Sequence, residues 1–147
     1  VKGIDFTAIW AEENYAKDIV RDNAMYRFSI EGINITHLGD VGNPLTETQM
    51  AQLAGTDILL ALTGGYPTID LADLQVVIET VKPKVVIPMH YKIPGPRFSM
   101  LPVTDFTSRY PESIVDWVDS VEIDYTYASL PAETRIVVLK PTLYREE

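Results

Sequence analysis

Two histidines and one aspartate are the side chains of this 147-residue sequence best suited to bind a metal ion or move a proton. His37 lies three residues before Asp40 in the run HLGD, and His90 follows the apolar run of residues 85–89. Both motifs stand at or beside the carboxyl ends of predicted strands, where open α/β sheets bind ligands. A carboxylate and an imidazole at one sheet edge can share a cation such as Zn²⁺, Mn²⁺ or Fe²⁺.

Each of these residues also has an ordinary structural interpretation. A histidine at the end of a buried strand is often a hydrogen-bonded polar cap. Asp40, followed by Val41-Gly42-Asn43-Pro44, is equally suited to an Asx turn. Gly64-Gly65 lacks the spacing of a phosphate-binding loop, and the Glu12-Glu13 pair is typical of solvated charges. The residues alone therefore predict only a metal or ligand site near Asp40 and His90.

Composition restricts the class of protein. Hydrophobic residues make up 46% of the chain, as in globular proteins, while 12 Lys and Arg against 21 Asp and Glu give a net charge of −9. This charge argues against nucleic acid as a partner because phosphates are repelled. The lack of cysteine excludes disulfides and thiolate metal sites. No apolar run approaches the roughly 20 residues that cross a bilayer, and no signal peptide is evident, so we expect no membrane partner and a cytoplasmic location.

The elements around the first motif are predicted from apolar alternation and turn residues. A first strand covers residues 4–10 and is interrupted by Glu12-Glu13. A hairpin follows, with strands at 25–30 and 33–38 around the turn residues Glu31-Gly32. Downstream of Asp40, a capping box between Thr46 and Gln49 predicts a short helix over residues 47–54.

A βαβ unit is predicted upstream of His90. Continuous apolar runs over residues 58–62 and 85–89 indicate two buried parallel strands, with Leu59, Leu60, Val86 and Ile87 in the core. Helical periodicity between them predicts a helix that Asp70 caps and Pro83 ends.

The last third of the chain gives a weaker pattern. It predicts a proline-containing loop after Tyr91, a short helix near 105–108 or 111–118, an alternating stretch over 121–127 and a final strand over 135–139. With no linker or internal repeat, residues 1–147 are interpreted as one domain of the α/β class with a mixed sheet.

Several of these segments resemble a known family. The matching segments are residues 32–40, 46–53, 56–60, 64–65, 68–70 and 82–91. Together they are similar to the second half of a metallo-β-lactamase-fold hydrolase, in the branch that includes ascorbate-phosphate lactonases. The similarity runs from about Phe6 to Pro141. It implies the C-terminal half of an αββα sandwich, in which metal-activated water attacks a lactone, ester or phosphoester of a small-molecule substrate.

The resemblance also implies roles for individual residues. Asp40 is similar to the carboxylate that bridges two metals, and His90 to the last histidine ligand, so both are expected to be catalytic metal ligands. His37 is similar to a residue that usually does not bind metal, and we place it behind the ligands, where it orients its neighbours. Glu12 aligns with a family histidine and is our third expected metal ligand, although a carboxylate weakens a site built around imidazole.

The family's HxHxDH cluster is missing from the sequence. We therefore expect the chain to hold Zn²⁺, Mn²⁺ or Fe²⁺ only weakly and to be inactive alone. Three hypotheses follow: the C-terminal half of a longer hydrolase, a non-catalytic relative used for binding or assembly, or a domain that binds a small ligand without metal. A missing half-sandwich would also expose an apolar face, which favours a homo-oligomer.

Overall fold

The computed structural model describes residues 3–16, 19–94 and 99–141. These residues form a seven-stranded sheet with the order β1-β2-β3-β4-β5-β7-β6. The elements are β1 Phe6–Ala16, β2 Ile19–Ile30, β3 Ile33–His37, α1 Glu47–Gln52, β4 Ile58–Leu62, α2 Leu71–Val81, β5 Val85–Met89, α3 Val103–Thr107, β6 Val115–Val118 and β7 Arg135–Leu139. The first three strands are antiparallel and the others parallel, so the prediction of an α/β fold with a mixed sheet is confirmed.

The predicted βαβ unit is present. Strands β4 and β5 pair in parallel over their full length, and α2 connects them. The helix buries Leu71, Leu74, Val77 and Ile78 on one side and ends at Val81, with Lys82 as its C-cap ahead of Pro83. Asp70 occupies the N-cap position, but its side chain makes no capping hydrogen bond. At α1, by contrast, the predicted capping box between Thr46 and Gln49 is formed.

The two faces of the sheet are covered differently. On the helical face, Leu59 and Val86 are fully buried. On the opposite face, Leu60 and Ile87 are half-buried and pack against a second apolar cluster. The four predicted core residues therefore lie on adjacent strands, but only two of them are completely enclosed.

The predicted break at Glu12-Glu13 is wrong. Strand β1 continues through both residues to Ala16, and β2 begins at Ile19 rather than at residue 25. In this ribbon the backbone of Glu12 pairs with that of Asp22. Both glutamates are only half-buried, so their charges remain hydrated and do not oppose the pairing.

Two C-terminal predictions are also corrected. Residues 111–118 form a 3₁₀ turn and strand β6, which pairs in parallel with β7, instead of a helix. The alternation over residues 121–127 belongs to no strand; it arises because Ile123 and Tyr125 pack against the sheet face while their neighbours are exposed. The alternative helix near 105–108 corresponds to α3. Part of the predicted proline-containing loop, residues 95–98, lies outside the described residues.

The face of β1, β2 and β3 opposite the helices is rich in exposed apolar side chains. Phe6, Trp10, Tyr26 and Ile30 are 40–58% exposed. Phe6 also contacts Phe28, with 4.8 Å between the ring centroids. This open face adjoins the turn that follows β3. None of the helices in the described residues is long and apolar enough to cross a membrane.

Candidate metal centre

The turn after β3 positions Asp40 at the carboxyl edge of the sheet. Gly39 has φ +67°, and a Cβ added there would lie 2.3 Å from the Ala24 carbonyl oxygen. The position therefore favours glycine for both its backbone angle and its lack of space. The Gly42 N–H, two residues after Asp40, would close an Asx turn, but it donates instead to the Glu12 carbonyl oxygen at 2.8 Å.

His90 is positioned by the loop after β5. Its φ is +53°, a left-handed conformation that is uncommon outside glycine. A Cβ added to Gly64 would lie 2.1 Å from the His90 carbonyl oxygen, so the two backbones are in close contact. The loops after β4 and β5 therefore pack against each other, and this contact fixes the backbone position of His90.

These two loops bring Asp40 and His90 together. The His90 Nε2 atom lies 3.9 Å from Asp40 Oδ1, and the side chains are 39% and 48% exposed. Two donors of one tetrahedral Zn²⁺ lie about 3.4 Å apart when each bond is about 2.1 Å. A small side-chain rotation would bring the pair to that spacing, so the carboxylate and imidazole fit as two ligands of one cation.

Glu12 contacts the segment that follows Asp40. Its carbonyl oxygen accepts a hydrogen bond from Gly42 N–H at 2.8 Å, and its Oε2 accepts one from Asn43 Nδ2 at 3.0 Å. Within residues 3–16, 19–94 and 99–141, no three His, Asp or Glu side chains form a group that could hold a metal ion. The structure thus brings two of the three expected ligands together.

His37 contacts the backbone of the turn that carries Asp40. Gly39 N–H donates a hydrogen bond to His37 Nδ1 at 2.9 Å. His37 also lines a hollow of about 930 Å³ on the open face, together with Trp10, Tyr26 and Phe28. The imidazole therefore contacts the turn through one nitrogen while the ring borders this hollow.

Asn23 is a contact of the turn that the sequence analysis missed. From β2, its Nδ2 donates to the Leu38 carbonyl at 3.4 Å and its Oδ1 accepts from Asp40 N–H at 3.0 Å. Asparagine is uncommon inside strands, which is the one local signal that could have drawn attention to it.

Comparison with known proteins places the chain in a family. The family model of the β-lactamase superfamily domain matches residues 1–90. A UPF0173 metal-dependent hydrolase of Carboxydothermus hydrogenoformans is 39% identical over 66 residues, or 45% of this chain and 29% of the relative. One of Hyperthermus butylicus is 32% identical over 108 residues, or 74% of this chain and 39% of the relative. The chain thus matches less than half the length of each relative.

Solved structures agree with this assignment. A Thermotoga maritima protein assigned to the metallo-β-lactamase superfamily as a Zn-dependent hydrolase matches with TM-score 0.75 and 31% identity, over 93% of this chain and 65% of that one. A metallo hydrolase of Ignicoccus hospitalis matches in fold, with TM-score 0.58 and 20% identity, over 99% of this chain and 55% of that one. This chain therefore belongs to the β-lactamase superfamily domain family and shares the metallo-β-lactamase fold of these structures.

Proposed function

We propose that this chain is the C-terminal part of a metal-dependent hydrolase, with Asp40 and His90 as two of its metal ligands. The observation that carries the proposal is the 3.9 Å approach of His90 Nε2 to Asp40 Oδ1 at the carboxyl edge of the sheet. Both side chains are about half exposed, and neither is saturated by protein hydrogen bonds in the described residues. The pair is therefore available to a cation and to a substrate arriving from solvent.

The donor set is consistent with Zn²⁺, with Mn²⁺ and Fe²⁺ as alternatives, because it combines one imidazole with one carboxylate. When bound, such a cation supplies a water molecule acidified to a pKa of about 7 and polarises the group under attack. Asp40 and His90 would hold it, and His37 would orient the turn that carries Asp40.

A catalytic zinc site needs about three protein ligands besides the water, so this pair requires further donors. We infer that they come from a segment carrying the HxHxDH cluster. The longer relatives are consistent with this inference, since the chain matches only 29% and 39% of their lengths. Assignment to the ascorbate-phosphate lactonase branch stays a prediction, and the proposed substrates remain small lactones, esters or phosphoesters.

A non-catalytic role in binding or assembly is the second candidate. It is favoured by Glu12, whose carboxylate is engaged by Asn43 instead of joining Asp40 and His90. In this alternative the fold is kept while the metal centre is lost. The first candidate predicts that supplying the missing metal ligands produces hydrolytic activity, and the second predicts that it does not.

The test is to measure hydrolysis of a generic lactone and a phosphodiester with Zn²⁺ or Mn²⁺ present. We expect the 147-residue chain to be no faster than its His90→Ala variant. Adding an HxHxDH-bearing half in cis should produce activity that His90→Ala abolishes. A folded fusion that stays inactive would favour the non-catalytic candidate. Activity of the chain alone that depends on His90 would refute the argument that further ligands are needed.

A further inference from the structure

We propose that Asn23 is a positioning residue for the metal centre, because its amide group holds the Leu38–Asp40 turn in the conformation that directs the Asp40 carboxylate toward His90. This inference rests on the proposed function, since it assigns a role to Asn23 only if Asp40 binds a cation. Asn23 lies on β2, outside both motifs that carry the ligands.

The two hydrogen bonds of Asn23 bracket the turn. Its Nδ2 donates to the carbonyl of Leu38, and its Oδ1 accepts from the N–H of Asp40 at 3.0 Å. One planar amide therefore contacts the backbone on both sides of Gly39. Any rotation of the Gly39 peptides that changed the direction of Asp40 would break at least one of these bonds.

Further contacts around Gly39 restrict the conformation of the turn. A Cβ on Gly39 would lie 2.7 Å from Asn23 Oδ1, so there is no space for a side chain between the Asn23 amide and the turn. The Gly39 N–H lies between the Leu38 carbonyl and the Asp40 N–H that Asn23 engages, and it donates to His37 Nδ1. The Asp40 side chain takes no part in these bonds. The turn is consequently held without using the carboxylate, which stays open to a ligand.

The chemistry of the position calls for an amide. Asparagine offers a donor and an acceptor on one rigid group, whereas aspartate offers acceptors alone and would repel the Leu38 carbonyl. Asparagine is also disfavoured within a strand. A purely structural Asn23 would stabilise the fold equally but would leave cation affinity unchanged when removed.

The experiment measures Zn²⁺ affinity and thermal unfolding of the 147-residue chain, by NMR titration and circular dichroism, for matched variants. Asn23→Ala removes both hydrogen bonds. Asn23→Ser keeps a polar group that is too short to bridge the turn, and serves if Asn23→Ala does not fold. Thr134→Ala is the control, because it removes one side-chain hydrogen bond, to the Pro83 carbonyl at 2.6 Å, at the opposite edge of the sheet.

We expect either Asn23 variant to weaken Zn²⁺ binding about 10-fold, as loss of groups that orient ligands typically does. Thr134→Ala should lower the unfolding temperature and leave Zn²⁺ affinity unchanged. The positioning role is overturned if both folded Asn23 variants bind Zn²⁺ as tightly as the wild type while Asp40→Asn binds it less tightly. If Asp40→Asn itself has no effect on affinity, the proposed function fails instead.

Discussion

The sheet carries an aspartate facing a basic side chain at each of its two ends, and the two pairs differ in burial, separation and hydrogen bonding. At the amino end of β4 and β5, Asp57 Oδ1 lies 2.9 Å from Lys84 Nζ, with the Asp57 side chain only 10% exposed. Its Oδ2 also accepts the Asn34 N–H at 2.9 Å. At the carboxyl end, Asp40 is 48% exposed and stands 3.9 Å from His90.

The two pairs differ in how far protein contacts satisfy the carboxylate. Burial alone would raise the pKa of the Asp57 carboxyl, but the hydrogen bond from Asn34 and the Lys84 ammonium outweigh it and keep that pKa below its ordinary value. Asp57 is thus a saturated structural carboxylate that joins the starts of β3, β4 and β5. Asp40 has an oriented backbone and an unsaturated side chain, as a ligand-binding carboxylate requires.

Removing each carboxylate should separate the two roles most clearly. Asp57→Ala should lower the free energy of unfolding by about 2 kcal/mol, because it leaves the Asn34 N–H and Lys84 without their charged partner. Asp40→Ala should change stability by no more than about 0.5 kcal/mol, as expected for an exposed residue. Urea unfolding of both variants measures this, and equal losses would contradict the comparison.

Acid should weaken the amino-end pair in a predictable direction. Since the folded pKa of Asp57 is below its ordinary value of 3.8, the stability that it contributes is complete above that pH and is lost as the pH falls through the folded pKa. Wild type should therefore lose more stability than Asp57→Asn as the pH falls below 3.8. Parallel pH curves for the two proteins would show that Asp57 contributes nothing specific.

The buried hydroxyl of Tyr110 contrasts with the hydrogen-bonded carboxylate of Asp57. Its hydroxyl forms no hydrogen bond with the described residues, and burial, followed by the charge of Glu79, raises its pKa from 10.0 to about 12. Tyr110→Phe should leave stability unchanged or raise it by up to about 1 kcal/mol. Wild type should lose stability as the pH rises from 10 toward 12, and the variant should lose less. A clear destabilisation at neutral pH would reveal a partner for the hydroxyl.

The fold was predictable where local pattern and burial agree. Strands β4 and β5 match their predicted ranges because a continuous apolar run needs cover on both faces and is bounded by polar residues. The prediction failed at Glu12-Glu13 because charges interrupt a strand only when they must be buried. It failed at β6 because residues 115–118 satisfy helical and strand spacing equally, and pairing with β7 decides between them.

The approach of Asp40 to His90 was predictable from the sequence, but the contacts that hold the Asp40 turn were not. Asp40 and His90 were identified because both follow strands whose carboxyl ends meet at one edge. Asn23 could not be identified in this way, because its hydrogen bonds reach residues fifteen and seventeen positions further along the chain. The packing of segment 121–127 on the sheet face likewise depends on tertiary contacts that alternation cannot show.

Titration of the ¹⁵N-labelled chain with Zn²⁺ tests whether Asp40 and His90 bind one cation. We expect the His90 ring resonances to shift on Zn²⁺ addition more than those of His37, with weak affinity. Asp40→Asn should reduce that affinity, whereas Asp57→Asn should not. If the His90 resonances do not respond, or if they respond equally in wild type and Asp40→Asn, these two residues do not form a shared cation site.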